Sequence, residues 1–151
     1  MSAPSPTPDL IALLAEHARR AIDATGVTAA AVSYWDREDG TMRTLVNVGA
    51  LHASEAAFPA DELYPLDAFP AVAALLRFGR PYLDPPDVSS SAVLAALCHR
   101  SQAGVPIVFE GTVWGELWTA SGERALTAQD LPALSACAEA IGRMLAAVTS
   151  G

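Results

Sequence analysis

Gly104–Thr119 has the sequence GVPIVFEGTVWGELWT. Glu110 and Gly111 separate two segments rich in β-branched and aromatic residues, a pattern typical of a tight turn between antiparallel strands. The stretch therefore predicts a β-hairpin and, with it, an antiparallel sheet.

Strand alternation predicts which side chains of this hairpin share a face. A two-residue turn pairs Ile107 with Trp114 and Val105 with Glu116. One face then carries Val105, Ile107, Trp114, Glu116 and Trp118, and the other carries Val108, Val113, Gly115 and Leu117. We expect the second face to meet helices, with Gly115 allowing a helix to approach closely, and the first face to meet the middle of the chain.

Both ends of the chain carry helical patterns. Thr127 and Asp130 form a capping-box pattern before a closing helix, whose apolar stripe consists of Leu131, Leu134, Ala138, Ile141 and Leu145. An opening helix is predicted after Asp9, which can cap it, and ends at Thr25–Gly26. The terminal helices are thus expected to be amphipathic.

Between the terminal helices, residues 27–48 predict a second hairpin around Asp39–Gly40. Residues 50–66 predict a loop, residues 69–78 a short helix and residues 80–83 a brief edge strand. A further helix is expected from Ser89 or Ser90 to about His99. Terminal helices combined with antiparallel hairpins define the class as α+β.

Composition limits the classes of function. The 151 residues suffice for one domain, and 52% are hydrophobic against 17% charged, which argues against a disordered chain. All basic residues are scattered arginines and the net charge is -8, so we expect no direct nucleic-acid binding. No secretory signal or apolar run of roughly 20 residues is apparent, which predicts a cytoplasmic domain without a membrane partner. The alanine-rich, lysine-free composition indicates a GC-rich, bacterial source.

The expected domain boundaries follow from these patterns. The proline-rich residues 1–8 predict a disordered tail, residues 9–148 form the domain, and residues 149–151 form a second tail. Cys98 and Cys137 match no zinc or redox spacing, and we expect reduced, buried thiols and no metal site.

The segment Gly104–Ile107, the turn, Val113–Trp118 and the Thr-x-x-Asp start of the closing helix resemble the GAF family of small-molecule-sensing domains, over roughly residues 9 to 148. The resemblance implies an antiparallel sheet with the terminal helices on one face. Short helices and loops on the other face would form a ligand pocket. Relatives in this family serve as input modules of signalling proteins, and some act only as dimerisation elements.

Glu116 is the sharpest candidate for a ligand contact. A carboxylate between Trp114 and Trp118 is costly unless it meets a donor. Glu116 would therefore bind a ligand on which both indoles stack, or would pair with Arg43 or Arg100, or would lie at a solvent-accessible edge.

Other residues are candidates for the pocket lining. Tyr64, Phe69 and Tyr82 could close the pocket or form ordinary core under a long loop, and Asn47 could offer its amide to a ligand or bond locally. Tyr34 on the first hairpin and Ile107 on the last complete the expected lining.

The resemblance also bears on cofactors. Some relatives hold haem through a histidine near the position of His99, although they place it farther upstream of the Gly-Val-Pro segment. The sequence lacks the patterns of relatives that bind bilins or cyclic nucleotides or that reduce methionine sulfoxide. It also shows no catalytic constellation, so the cofactor is unassigned and an enzyme is the less favoured reading.

Three functions remain at this point. The leading one is a sensory domain that binds a small molecule and signals through a homodimer of its terminal helices. The second is a haem-binding or cofactor-free catalyst that uses the pocket, with Glu116 as general base. The third is a structural dimerisation domain with a filled pocket.

Overall fold

The computed structural model describes residues 4–50, 56–59, 62–84 and 101–150. These described residues form three α-helices and six strands, with two short 3-10 turns at Leu66–Ala68 and Ala128–Asp130. The elements are α1 Pro8–Thr25, β1 Ala29–Asp36, β2 Thr41–Gly49, β3 Leu63–Pro65, α2 Pro70–Phe78, β4 Tyr82–Asp84, β5 Ser101–Phe109, β6 Thr112–Ser121 and α3 Leu131–Ser150.

The strands form one antiparallel sheet in the order β3-β2-β1-β6-β5-β4. The two predicted hairpins, β1–β2 and β5–β6, lie side by side because β1 pairs with β6 in the centre of the sheet. The α+β prediction is confirmed, and the two central strands come from opposite ends of the chain.

The terminal helices α1 and α3 pack together on one face of the sheet. The predicted stripe of α3 is buried there, except that Leu131 is half-buried. The Thr127–Asp130 capping box is present. The predicted cap of α1 is wrong: Thr7 accepts from the Leu10 amide at 3.2 Å, because Pro8 already occupies the first helical turn.

The pairing predicted for the β5–β6 hairpin is wrong by one residue. Phe109 pairs with Thr112 as expected, but an irregularity between Ile107 and Val108 leaves Trp114 unpaired and places Ile107 opposite Gly115. This β-bulge inserts one extra residue into β6 and reverses the alternation beyond it. Glu116 consequently pairs with Pro106 instead of Val105.

The predicted role of Gly115 is also wrong. A Cβ at Gly115 would collide with the Ser33 carbonyl of β1, so the close neighbour is a strand and not a helix. Helix and sheet approach closely at Gly142 of α3 instead, where a Cβ would lie 2.5 Å from the Val108 carbonyl oxygen.

The face of the sheet opposite α1 and α3 carries α2 and the segment before β3. α2 begins with Pro70 in its first turn and ends at Gly79, whose φ of 67° is left-handed, both as predicted. The loop predicted for residues 50–66 contains the short edge strand β3, paired with β2. The helix expected from Ser89 or Ser90 to His99 lies outside the described residues.

The element ends extend slightly beyond the expected boundaries of 9 and 148. Pro8 is helical, α3 continues to Ser150, and the Pro4 carbonyl accepts a hydrogen bond from Trp114 Nε1 at 3.2 Å. Within the described residues, one helical stretch, Ala128–Thr149, has the length and mean hydropathy (1.4) of a membrane span. This is weak evidence for a membrane span, because helices in the cores of globular proteins reach the same length and hydropathy.

Candidate functional site

The centre of the sheet, on the α2 side, is built from two rows of cross-strand neighbours. One row brings Thr44, Ser33 and Glu116 side by side across β2, β1 and β6. The next row brings Ala31 beside Trp118, and Trp118 opposite Gly104 of β5. Small residues therefore lie next to large ones, which leaves space above the sheet.

Gly104 allows Tyr82 and Glu116 to meet. A Cβ at Gly104 would collide with the Tyr82 ring and would lie 2.5 Å from Glu116 Oε2. Because this position lacks a side chain, Tyr82 crosses β5 from the edge strand β4, and its hydroxyl donates a hydrogen bond to the Glu116 carboxyl group.

Glu116 is enclosed. Its side chain is 1% exposed, and among the described residues Oε2 has no hydrogen-bond partner. Burial raises the pKa of Glu116 from its usual 4.5 to about 7, although the hydrogen bond from Tyr82 acts in the opposite direction. Burial, followed by the charge of Glu116, in turn raises the pKa of the Tyr82 phenol.

Besides a ligand contact, the sequence left two environments open for Glu116: a solvent-accessible edge and an ion pair with Arg43 or Arg100. Its burial excludes a position at the solvent-exposed edge. Arg43 is exposed, and no ion pair of Glu116 occurs among the described residues. Arg100, the other expected partner, lies outside the described part of the chain.

Above this floor is a cavity of about 280 Å³ between the sheet, α2 and the segment before β3. Its lining consists of Ala31, Ser33, Met42, Thr44, Asn47, Glu62, Tyr64, Phe69, Val72, Tyr82, Gln102, Glu116 and Trp118. The size approaches the range of small-molecule sites, and the mixture of aromatic walls with a few polar groups is typical of them.

Several polar groups of the cavity wall already bond to one another. Trp118 Nε1 donates to Gln102 Oε1 at 2.9 Å, and Asn47 Nδ2 donates to the Ala56 carbonyl at 2.9 Å. Ser33 Oγ and Thr44 Oγ1 lie 3.2 Å apart and share a hydrogen bond. These bonds hold the wall in place and engage the indole N–H of Trp118 and one N–H of the Asn47 amide.

Six of the nine candidate residues lie on the cavity wall, namely Asn47, Tyr64, Phe69, Tyr82, Glu116 and Trp118. The structure brings them together from β2, β3, the turn before α2, β4 and β6. Tyr64 and Phe69 also form an edge-to-face pair with ring centroids 5.5 Å apart.

The other three, Trp114, Ile107 and Tyr34, pack into or against the helix-side core. The β-bulge turns Trp114 away from Glu116, and Trp114 instead meets Tyr34 edge to face at 5.3 Å. The expected sandwich of Glu116 between two indoles is therefore wrong, since only Trp118 shares its cavity.

Sequence reasoning missed four polar residues of the lining: Ser33, Thr44, Glu62 and Gln102. Ser33 and Thr44 interrupt apolar strand segments, and a polar residue inside such a segment is a signal that could have identified them. Gln102 gave no comparable signal, because its position depends on the pairing of β5 with β6.

The cofactor hypotheses gain no support from the described residues. His99 and Cys98 lie outside them, and the described part of the chain contains no cluster of three or more metal-ligating side chains. Burial raises the pKa of the Cys137 thiol, which lies half-buried on α3.

Comparison with known proteins gives a consistent result. A family model described as GAF domain matches residues 9–145. The structure is similar to residues 122 to 287 of a methyl-accepting chemotaxis protein (TM-score 0.72, 17% identity), covering 96% of this chain and 92% of that one. It is also similar to the GAF-B domain of DevS from Mycobacterium smegmatis (TM-score 0.70, 21% identity, covering 94% and 96%).

A third similar structure is the phycocyanobilin-bound GAF domain from a cyanobacterial phytochrome, with a TM-score of 0.67 and 15% identity, covering 91% of this chain and 84% of that one. No curated protein sequence matches the chain significantly. At these identities the structural likeness establishes the fold alone.

The buried carboxyl group predicts a specific pH dependence of stability. The folded state holds the Glu116 proton up to about pH 7, whereas the unfolded state releases it near pH 4.5. Stability from this group is therefore complete below pH 4.5 and is lost as pH rises to 7, by about 3 kcal/mol for a shift of this size.

We expect Glu116→Gln to remove that loss. The difference in free energy of unfolding between wild type and variant, measured by urea denaturation across pH 4.5 to 7.5, should change by about 3 kcal/mol in favour of the variant. The exposed Glu123→Gln is the control and should show a flat difference. A flat difference for Glu116→Gln as well would contradict the assigned environment.

Proposed function

Because the chain belongs to the GAF-domain family, we propose that it is the sensing domain of a signalling protein and binds a small molecule in the cavity above Glu116. GAF domains are typical of signalling and sensor proteins. The observation that carries the proposal is the cavity, with an enclosed, half-satisfied carboxyl group on its floor and aromatic side chains around it.

The neighbours supply a context for this proposal. One of them holds phycocyanobilin in its GAF domain and another is part of a chemotaxis protein. Their low identity gives no information about the ligand of this chain, which has to be inferred from its own side chains.

Strand β6 offers a route from the cavity to the terminal helices. Glu116 and Trp118 face the cavity, while Leu117 between them is buried in the core that α1 and α3 share. A ligand that shifts β6 would therefore change the packing beneath both helices. We expect occupancy of the cavity to alter the arrangement of α1 and α3 in this way.

The signal would leave through a homodimer of the terminal helices. On α3, Ala133, Ala136, Ala140, Arg143 and Ala147 follow a spacing of three and four residues and are exposed or half-buried. This is the repeat of a helix-pairing seam. Four of its five residues are alanines, which allow two helices to approach closely, and Arg143 is the one charged residue in the series. The apolar character of the same helix, of which 22% is buried in the monomer, supports a partner for its outer face.

Blocking the cavity tests the binding function. Val72 of α2 lines the cavity, so Val72→Trp should fill it, whereas Ala71→Trp places the same side chain on the exposed side of the helix. A ligand at 100 times its Kd stabilises the folded state by about 2.7 kcal/mol. In a thermal-shift screen of small metabolites, we expect wild type and Ala71→Trp to share a stabilising compound that has no effect on Val72→Trp.

Circular dichroism should show that both tryptophan variants are folded. If every stabilising compound acted equally on Val72→Trp, the ligand would bind elsewhere and the proposed site would be wrong.

A charged substitution in the α3 seam tests the proposed dimer. Ala136→Arg replaces an alanine by a second long, charged side chain in addition to Arg143, and desolvating it between two helices costs several kcal/mol. We expect light scattering at micromolar concentration to find wild type dimeric and Ala136→Arg monomeric. Ala71→Arg on α2 is the matched control and should remain dimeric. A monomeric wild type, or a dimeric Ala136→Arg, would contradict this assignment.

A further inference from the structure

The hydrogen-bonding groups of the cavity wall are unequally satisfied within the described residues. The indole N–H of Trp118 and the Asn47 amide are engaged by Gln102 and the Ala56 carbonyl. Glu116 Oε2, by contrast, is buried without a partner among the described residues. An occupant that completes these hydrogen bonds has to donate to Glu116.

The charges of the cavity wall favour the same kind of occupant. Glu116 and Glu62 both line the cavity, and the described lining residues include no arginine or histidine. An anionic ligand would therefore face carboxyl groups without a cation to balance it, and desolvating such a pair is strongly unfavourable. A cation would instead pair with an enclosed carboxylate that has no counter-charge among the described residues.

The aromatic walls suit an organic cation more than a metal ion. Tyr82 and Trp118 line the cavity together with Glu116, and the edge-to-face pair of Tyr64 and Phe69 lines it from β3 and the turn before α2. Aromatic faces attract organic ammonium groups and cover their apolar substituents. A bare metal ion would need several oxygen ligands, and the described residues contain no cluster of that kind.

We propose that the cavity takes a small organic ammonium or amidinium compound whose N–H group donates to Glu116 and whose apolar part lies among Tyr82, Trp118, Tyr64 and Phe69. This inference rests on the proposed function, since it names the chemical class of ligand for the same cavity.

Three probes of similar shape test the class: phenethylamine as the cation, phenethyl alcohol as the neutral form and phenylacetate as the anion. At millimolar concentration and pH 8, titration calorimetry should show phenethylamine binding to wild type about tenfold or more tightly than phenethyl alcohol, as expected for a hydrogen bond to a charged group. Phenylacetate should show no binding.

Variants connect this preference to Glu116. Glu116→Gln keeps the shape of the side chain and should weaken phenethylamine binding by about tenfold or more, bringing it level with phenethyl alcohol. The exposed Glu123→Gln should bind like wild type. Val72→Trp should bind none of the three probes.

A pH profile of the wild type provides a test that does not depend on a variant folding. The ammonium group requires Glu116 in its charged form, whose pKa is near 7. Affinity for phenethylamine should therefore level off above pH 7 and fall about tenfold for each pH unit below it. The other titratable groups that the described lining brings to the cavity are Glu62, Tyr64 and Tyr82, and the raised pKa of Tyr82 keeps that phenol protonated throughout.

The outcomes separate this inference from the proposed function. If phenethyl alcohol or phenylacetate binds as tightly as phenethylamine and Val72→Trp abolishes that binding, the cavity binds ligands but the cationic class is wrong. A flat pH profile, or no binding of phenethylamine to wild type, likewise overturns the cationic class. The proposed function itself fails only if the metabolite screen gives no ligand that depends on Val72.

Discussion

The burial of one carboxyl group at the centre of the sheet organises the site. Enclosing an ionised carboxylate without full hydrogen bonding costs several kcal/mol, so such a group either takes up a proton or acquires a donor. Glu116 does so in part, through the hydroxyl of Tyr82. That contact depends on Gly104, where a side chain would collide with the Tyr82 ring. The remaining oxygen, Oε2, receives no hydrogen bond from the described residues.

The position of Glu116 depends on a backbone feature that a regular hairpin lacks. Between Val113 and Gly115, the extra residue Trp114 lies on the helix side with Tyr34. Without this bulge, the alternation of β6 would place Trp114 on the same side as Glu116 and would fill the space beside it. The same bulge therefore supplies an aromatic group to the core and keeps the cavity open.

Much of the fold could be predicted from local patterns. Helix periodicity, the Thr127–Asp130 capping box and the turns at Asp39–Gly40 and Glu110–Gly111 depend on neighbouring residues, and each is present. The bulge at Trp114 could not be predicted in this way, because its driving force is the burial of an indole against residues from other strands. The edge strand β3 was missed for a related reason: its three residues owe their extended form to pairing with β2. The site was predictable where a residue type was unusual, as with Glu116, and unpredictable where pairing alone brings side chains together, as with Gln102.

The structure places a protonatable, incompletely bonded carboxyl group on the floor of the cavity, and the titration of that group tests this placement most directly. In the ligand-free protein, the ¹³C chemical shift of the Glu116 side-chain carboxyl carbon should be followed by NMR as a function of pH, with Glu116→Gln used to assign the signal. The enclosure of Glu116 predicts a titration midpoint near pH 7. A midpoint near 4.5, the usual value for a glutamate, would show that the carboxyl group is solvated or fully paired. That result would contradict its enclosed, incompletely bonded environment.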